Sequence, residues 1–180
     1  MILAVDVQYH KNVAFSAGVL FSDWHSATPS GEYVSIVKDI KDYEPGNFYK
    51  RELPCIMQLL DEHQLTPSTI IVDGYVFLDG KEKPGLGKKL YDSLSGNVEV
   101  IGVAKNMFSG IPKECELYRG KSKNPLYITA IGNLEKAKEN IAKMHGIYRV
   151  PDLLKKTDRL CRETANKSIR PSSKSGAADA

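Results

Sequence analysis

Two apolar runs in this chain each end on an aspartate, Ile2-Leu3-Ala4-Val5-Asp6 and Thr69-Ile70-Ile71-Val72-Asp73-Gly74. Both read as strands. Burying a carboxylate beside a continuous apolar run costs several kcal/mol unless something neutralises it, and one divalent cation shared by two such groups is the simplest neutraliser. The pair therefore points to a metal site.

The rest of the chain supplies the frame for such a site. Residues 1–8, 13–21 and 33–40 read as three strands joined by turn-rich segments, an antiparallel meander. Glu52, Ile56, Leu59 and Leu60 recur at helical spacing up to Gln64, and Pro67-Ser68 stop the pattern before the strand that ends at Asp73. A polar loop through Lys81-Glu82-Lys83-Pro84 leads to a predicted helix over 85–94 and a strand over 98–104, and strand, helix, strand implies parallel pairing. Residues 126–130 read as a further strand, and 134–145 and 151–165 as helices. A domain over 1–166 and a disordered tail over 167–180, rich in Ser, Lys, Gly and Ala, are expected. In this order the first and fourth strands can lie side by side at the sheet centre, bringing Asp6 near Asp73. That order resembles a ribonuclease H-like α/β fold, with a mixed five-stranded central sheet flanked by helices.

Composition bounds the function without choosing it. A hydrophobic fraction of 42% is enough for a real core, while Lys+Arg 25 against Asp+Glu 22, a net charge of +3, does not by itself demand a polyanionic partner. Cys55, Cys115 and Cys161 are odd in number and include no CxxC pair, which argues against a disulfide framework or a zinc site and for reduced thiols. The first residues pass straight into a strand with no basic leader, and no apolar run approaches the roughly 18 residues of a membrane span, so a cytoplasmic protein is expected. His10, His25, His63 and His145 are scattered, with no ligand spacing, and read as structural or surface residues. Lys81, Lys83, Lys88 and Lys89, and separately Lys113, Arg119, Lys121 and Lys123, are candidate phosphate contacts, although such runs are usually solvated faces.

Specific motifs narrow this further. Asp42-Tyr43-Glu44-Pro45-Gly46, followed by Phe48 and Arg51-Glu52, resembles the Tyr-x-Pro-Gly-Phe…Arg-Glu signature of the endonuclease V family, which incises nucleic acid beside deaminated adenine. Val5-Asp6-Val7 with Tyr9 is similar to that family's first strand, Val72-Asp73-Gly74 to its fourth, and Ile101 to Lys105 to its fifth with the lysine that follows. Asn124-Pro125-Leu126-Tyr127-Ile128 and Arg149-Val150-Pro151-Asp152, leading to Asp158 and Arg162-Glu163, are similar to its C-terminal blocks. The blocks fall in the family's order over 3–163.

The resemblance implies a nuclease, with Asp6, Glu52, Asp73 and Asp158 as metal ligands for magnesium, manganese being able to substitute. Phosphodiester hydrolysis needs an activated water and neutralisation of charge at phosphorus, which carboxylate-held magnesium can supply. Lys105, leaving the end of a buried strand, is expected at the scissile phosphate. Tyr43, before a turn rigidified by Pro45 and Gly46, is expected to enter the base stack and help extrude the target base, and Gly74, Gly132 and Asn133 to contribute to the base pocket. The implied substrate is inosine- or deoxyinosine-containing DNA or RNA, cut at the second phosphodiester 3′ to the modified base by a monomer.

Some residues depart from the family pattern. Where the family shows Gly-His-Gly and then His-Pro-Arg, this chain reads Asp73-Gly74-Tyr75-Val76-Phe77-Leu78-Asp79-Gly80, with Lys83-Pro84 farther on, so Asp79 or Lys83 is expected near the missing histidine. The chain also begins at its first strand, without the N-terminal helix many members carry. Two rival readings remain open at this level: a catalytically weakened protein that binds hypoxanthine-bearing nucleic acid, and a ribonuclease H-like nuclease of another specificity, such as a junction resolvase.

Overall fold

The computed structural model describes residues 1–38 and 49–169. The chain opens with β1 (Ile2–His10), β2 (Val13–Phe21) and β3 (Gly31–Lys38), which pair antiparallel in that order. Then follow α1 (Tyr49–Glu62), β4 (Thr69–Val72), α2 (Leu86–Ser93) and β5 (Glu99–Ala104). A short 3-10 helix (Lys113–Cys115) leads into β6 (Glu116–Leu117), and β7 (Leu126–Ala130), α3 (Leu134–Lys143) and α4 (Asp152–Ile169) complete the described residues.

All the strands join one sheet in the order β3-β2-β1-β4-β5-β7-β6. β4 lies parallel to β1 and β5 parallel to β4, while β7 returns antiparallel to β5. The five-stranded sheet expected from the sequence is thus seven-stranded. β7 extends the sheet beyond β5, and β6, a strand of two residues on the far side of β7, is too short to leave any periodic signal. At the other end of the chain α4 continues to Ile169, past the predicted helix end at residue 165 and into the segment expected to be tail.

Period-two alternation along the central strands divides their side chains between two helical layers. Ile2, Ala4, Ile71, Ile101 and Val103 pack with Ala137, Ile141 and Leu153 of α3 and α4. Leu3, Val5, Ile70, Val72 and Val100 pack with Ile56, Leu59, Leu60 and Leu90 of α1 and α2. Leu3, Ile70, Ile71 and Ile101 are fully buried, and each contributes about 2 kcal/mol of apolar burial. The ribonuclease H-like arrangement therefore rests on unbroken apolar strands sandwiched between helices, which is why β1 and β4 carry so few polar residues.

The same alternation aims the aspartates. Asp6 shares its parity with Ile2 and Ala4, and Asp73 shares its parity with Ile71, so both belong to the α3/α4 face. The register pairs Val5 with Val72, which sets Asp6 and Asp73 side by side where β4 stops.

Gly102 of β5 makes this edge possible. A Cβ there would lie 2.6 Å from the Gly74 carbonyl oxygen, 2.7 Å from the Val76 nitrogen and 2.8 Å from Thr129 Oγ1. The Thr129 hydroxyl accepts the buried Val76 N–H at 2.8 Å, so the turn after Asp73 is held directly against β5. Gly102→Ala should cost about 1–3 kcal/mol by overpacking and lower activity beyond the loss of folded protein, because it displaces the segment carrying Asp73. Equilibrium unfolding with a parallel cleavage assay checks this, and a fully active variant of unchanged stability would contradict it.

Candidate active site

The C-terminal ends of β4 and β5 form one edge beside the middle of β1, and the acidic residues meet there. Asp6 and Asp73 line two small cavities. One, of about 30 Å³, also contacts Lys105, Thr157 and Asp158. The other, of about 10 Å³, reaches Glu52 and Ile56. The two aspartates thus stand between Glu52 on α1 and Asp158 on α4, and the sheet edge is where helices from opposite faces can approach the same point. The larger cavity has room for a water or an ion.

Electrostatics at this edge are unfavourable without a cation. Burial, then the neighbouring Asp73 and Asp158 carboxylates, raise the Asp6 pKa from 3.8 to about 6. Burial, then Asp6 and Asp73, raise Glu52 from 4.5 to about 7. Asp6 Oδ1 accepts the Val7 N–H at 2.9 Å, but its buried Oδ2 has no hydrogen-bond partner among the described residues. Such an orphaned oxygen costs about 1–3 kcal/mol, more if charged.

Lys105, the first residue after β5, supplies the nearby positive charge. Its Nζ donates to Asp73 Oδ2 at 2.5 Å. Burial pulls the Lys105 pKa down, but the hydrogen bond to Asp73 and the surrounding carboxylates outweigh it and leave the ammonium favoured. Asp158 is ion-paired on α4 with Arg162, one turn on. α4 is itself pinned to the sheet, where the Cys161 thiol donates to the Phe15 carbonyl at 2.9 Å. Behind Glu52 the Arg51 guanidinium lies 4.2 Å from the Tyr9 ring centroid, which seats the first turn of α1 on β1.

Next to the acidic edge opens a pocket of about 690 Å³. Glu52, Asp73 and Gly74 form one side, and Tyr49, Tyr75, Leu78, Lys83 and Phe108 form the others. Gly74 turns the chain away from the sheet at φ 153°, a conformation side chains resist, with open space where a Cβ would stand. The Tyr75 hydroxyl donates to the Asn106 carbonyl at 2.7 Å and accepts the Phe108 N–H at 3.1 Å, fixing the loop after Lys105 as a wall. Tyr49, Tyr75 and Phe108 were not singled out in the sequence. Only the position of Tyr75, directly after Asp73-Gly74, could have drawn attention.

Of the predicted site residues, Asp6, Glu52, Asp73, Lys105, Asp158 and Gly74 come together at this edge. Gly132 and Asn133 do not. β7 runs antiparallel to β5 with Ala130 opposite Ile101, so they leave the sheet at its opposite end. There Asn133 Oδ1 accepts the Lys136 N–H at 3.0 Å as the N-cap of α3. Near the missing histidine, Lys83 lines the pocket, whereas Asp79 accepts the N–H groups of Lys81, Glu82 and Lys83, which hold its carboxyl down at about 2. Tyr43, Pro45 and Gly46 lie outside the described residues.

An all-oxygen set of Asp6, Glu52, Asp73 and Asp158, with mutual repulsion and one orphaned oxygen, fits a hard divalent cation. As the side chains stand, no three His, Cys, Asp or Glu among the described residues are gathered closely enough to hold an ion. Asp73 is instead satisfied by Lys105.

A ribonuclease H-like sheet with clustered carboxylates and a lysine at its C-terminal edge defines a nuclease. Residues 1–145 match the family Endonuclease V, and the chain belongs to that family. No curated protein matches the sequence. Among solved structures, endonuclease V from Streptomyces avermitilis superposes with a TM-score of 0.73 at 25% identity, covering 94% of this chain and 82% of its own. Ciona intestinalis endonuclease V, in complex with a 24mer DNA containing an inosine followed by a ribo-adenosine, gives 0.76 at 22% identity over 93% and 86%. Human ENDOV gives 0.74 at 20% identity over 94% and 85%. Among the described residues, no helix is long and apolar enough to cross a membrane.

Proposed function

We propose that this chain is a magnesium-dependent endonuclease that cuts inosine- or deoxyinosine-containing nucleic acid at the second phosphodiester 3′ to the modified base, leaving 3′-hydroxyl and 5′-phosphate ends. It acts as a cytoplasmic monomer. The observation that carries this reading is the convergence of Asp6, Glu52, Asp73, Asp158 and Lys105 beside an aromatic-walled pocket. Family membership and the inosine-containing DNA bound by the Ciona relative supply the substrate class.

Asp6, Glu52 and Asp73 would hold the metal, with Asp158 as a fourth carboxylate, and the bound ion would lower the pKa of water and neutralise charge at phosphorus. The protein's own groups set the geometry. Lys105 donates to Asp73 without substrate, and a phosphate oxygen is an equally good acceptor, so the ammonium can turn to the scissile group as charge develops there. Asp158, facing the small cavity, would accept a hydrogen bond from a water held there. The extruded base enters the larger pocket, which has ample room for a purine, with Tyr75 and Phe108 as apolar walls and Gly74 allowing close backbone approach. Tyr43, in the loop stiffened by Pro45 and Gly46, would separate the stack.

The test is a gel assay on matched strands carrying inosine, adenosine or guanosine at one position, as DNA and RNA. Cutting is expected only beside inosine. It should vanish in excess chelator, return with magnesium or manganese, and be inhibited by calcium, whose preferred coordination is larger and less regular. Undiminished cutting in chelator would contradict the metal, and equal cutting of the adenosine strand would contradict the specificity.

A further inference from the structure

A second groove adjoins the active site across Val150, which lines both. Its volume is about 690 Å³, and Lys121, Ile147, Tyr148, Arg149 and Lys155 form its walls. Among the described residues, no carboxylate lines it. Tyr148 is 61% exposed and Ile147 78% exposed, an unusual outlay of apolar surface on adjacent residues. The Lys155 ammonium lies 3.9 Å from the Tyr148 ring centroid. Its carboxylate neighbour Asp152 is 4.0 Å away at the base of α4, a long contact that leaves the charge available.

The backbone beneath Tyr148 is unusually well held. Arg119, expected from the sequence to be a phosphate contact, is only 8% exposed and donates to the carbonyls of Ala142, Met144 and Tyr148. Gly120 is needed at the same place, because a Cβ there would come within 2.4 Å of the Ile147 carbonyl oxygen. An exposed aromatic ring thus stands on a rigid platform. The neighbouring Arg149 guanidinium donates to the Lys105 carbonyl at 3.3 Å, which fixes the groove relative to the catalytic lysine.

We infer that this groove is a second nucleic-acid subsite, holding an unpaired stretch of the substrate strand beyond the cleaved bond. One base stacks on Tyr148, and Lys121, Arg149 and Lys155 receive the phosphates. The inference rests on the reading of the chain as a nuclease but not on inosine, since stacking and phosphate contacts do not distinguish bases. An aromatic platform ringed by cations with no acidic lining is complementary to a single strand, whose bases are free to stack.

The test measures binding of a fluorescent oligothymidylate of roughly 12 nucleotides, a length suited to such a groove, with no inosine and in chelator. Tyr148→Ala should weaken binding about tenfold, and Tyr148→Phe should retain it because the ring face remains. Lys121→Ala should lower the salt slope by about 0.7, the share of one phosphate contact on a single strand. The melting temperature of Tyr148→Ala should stay that of the parent, since the ring is exposed. If Tyr148→Ala binds as the parent does while the parent cuts inosine strands, the groove is not a subsite and the proposed function survives. If the parent cuts no inosine strand while Tyr148→Ala still loses binding, the subsite stands and the specificity fails.

Discussion

Asp6→Asn should abolish cleavage yet make the metal-free protein more stable at alkaline pH. The activity loss should be about 10³-fold or more, because a carboxylate holding the cation controls several kcal/mol of charge stabilisation at the reacting phosphate. The stability gain has a different origin. In the folded chain burial and neighbouring carboxylates hold Asp6 at about 6 instead of 3.8, and Glu52 at about 7 instead of 4.5. Raised carboxyl pKa values mean that the folded state binds more protons than the unfolded one between these limits, so metal-free stability falls as pH rises through the window from about 4 to about 7. Below it both states are protonated and the penalty is absent. Above it the penalty is complete, and for Asp6 a shift from 3.8 to about 6 corresponds to about 3 kcal/mol. Asparagine keeps the acceptor for the Val7 N–H and removes the charge. Denaturant unfolding in chelator should therefore show Asp6→Asn more stable than the parent at pH 8, the difference disappearing near pH 4. Magnesium should reverse the order at pH 8, since only the parent binds it well. A variant destabilised at pH 8 in chelator would show that Asp6 is a satisfied structural carboxylate, and the cation site would lose its main physical support.

The parts of this site that were legible in the sequence are those fixed by strands. Asp6 and Asp73 could be paired because both end unbroken apolar runs, and the strand, helix, strand order left β1 and β4 adjacent. Lys105 was picked out by the resemblance, and its place at the end of β5 fitted it. Glu52 and Asp158 came only with the resemblance to endonuclease V, because a helical carboxylate has no local mark that separates a ligand from a solvated side chain. The pocket walls were hidden for a related reason. Tyr75 and Phe108 are brought together by a loop whose course depends on the Tyr75 hydroxyl reaching residues 106 and 108, a long-range contact with no periodic trace. Gly132-Asn133 misled because a glycine before an N-cap looks the same at either end of a sheet. Only the antiparallel return of β7 decides which end it occupies. Arg119 misled in the opposite way, since its place in a basic run suggested solvent while three backbone carbonyls claim its guanidinium.

Lys105→Met should lower kcat by about 10²–10³, the cost of removing one cationic donor from a developing charge, and should at the same time tighten magnesium binding. In the folded chain the ammonium lies 2.5 Å from Asp73 Oδ2, with both side chains about a third exposed. It therefore neutralises part of the acidic cluster, and an incoming dication must displace it or tolerate it. Methionine has nearly the same length and no charge, so the cluster becomes more negative by one unit. At an effective dielectric near 20, one charge a few ångström away alters a neighbour's energy by a few kcal/mol before solvent screening, and the exposure of about a third of each side chain reduces that to about tenfold in affinity. Thermal-shift titration should accordingly show Lys105→Met saturating at about a tenth of the parent's magnesium concentration. Without metal the same variant should melt lower at pH 8, because Asp73 loses its partner and repulsion from Asp6 is no longer offset. That is the opposite sign to Asp6→Asn, so the two variants together separate charge balance at the cluster from general damage to the fold. Lys105→Arg should keep the charge and most of the metal-free stability but recover only part of the rate, since a planar guanidinium cannot place a donor where a compact ammonium stood. Unchanged kcat in Lys105→Met would reduce this lysine to a surface ion pair, and a weakened magnesium response would mean that it supports the cation instead of competing with it.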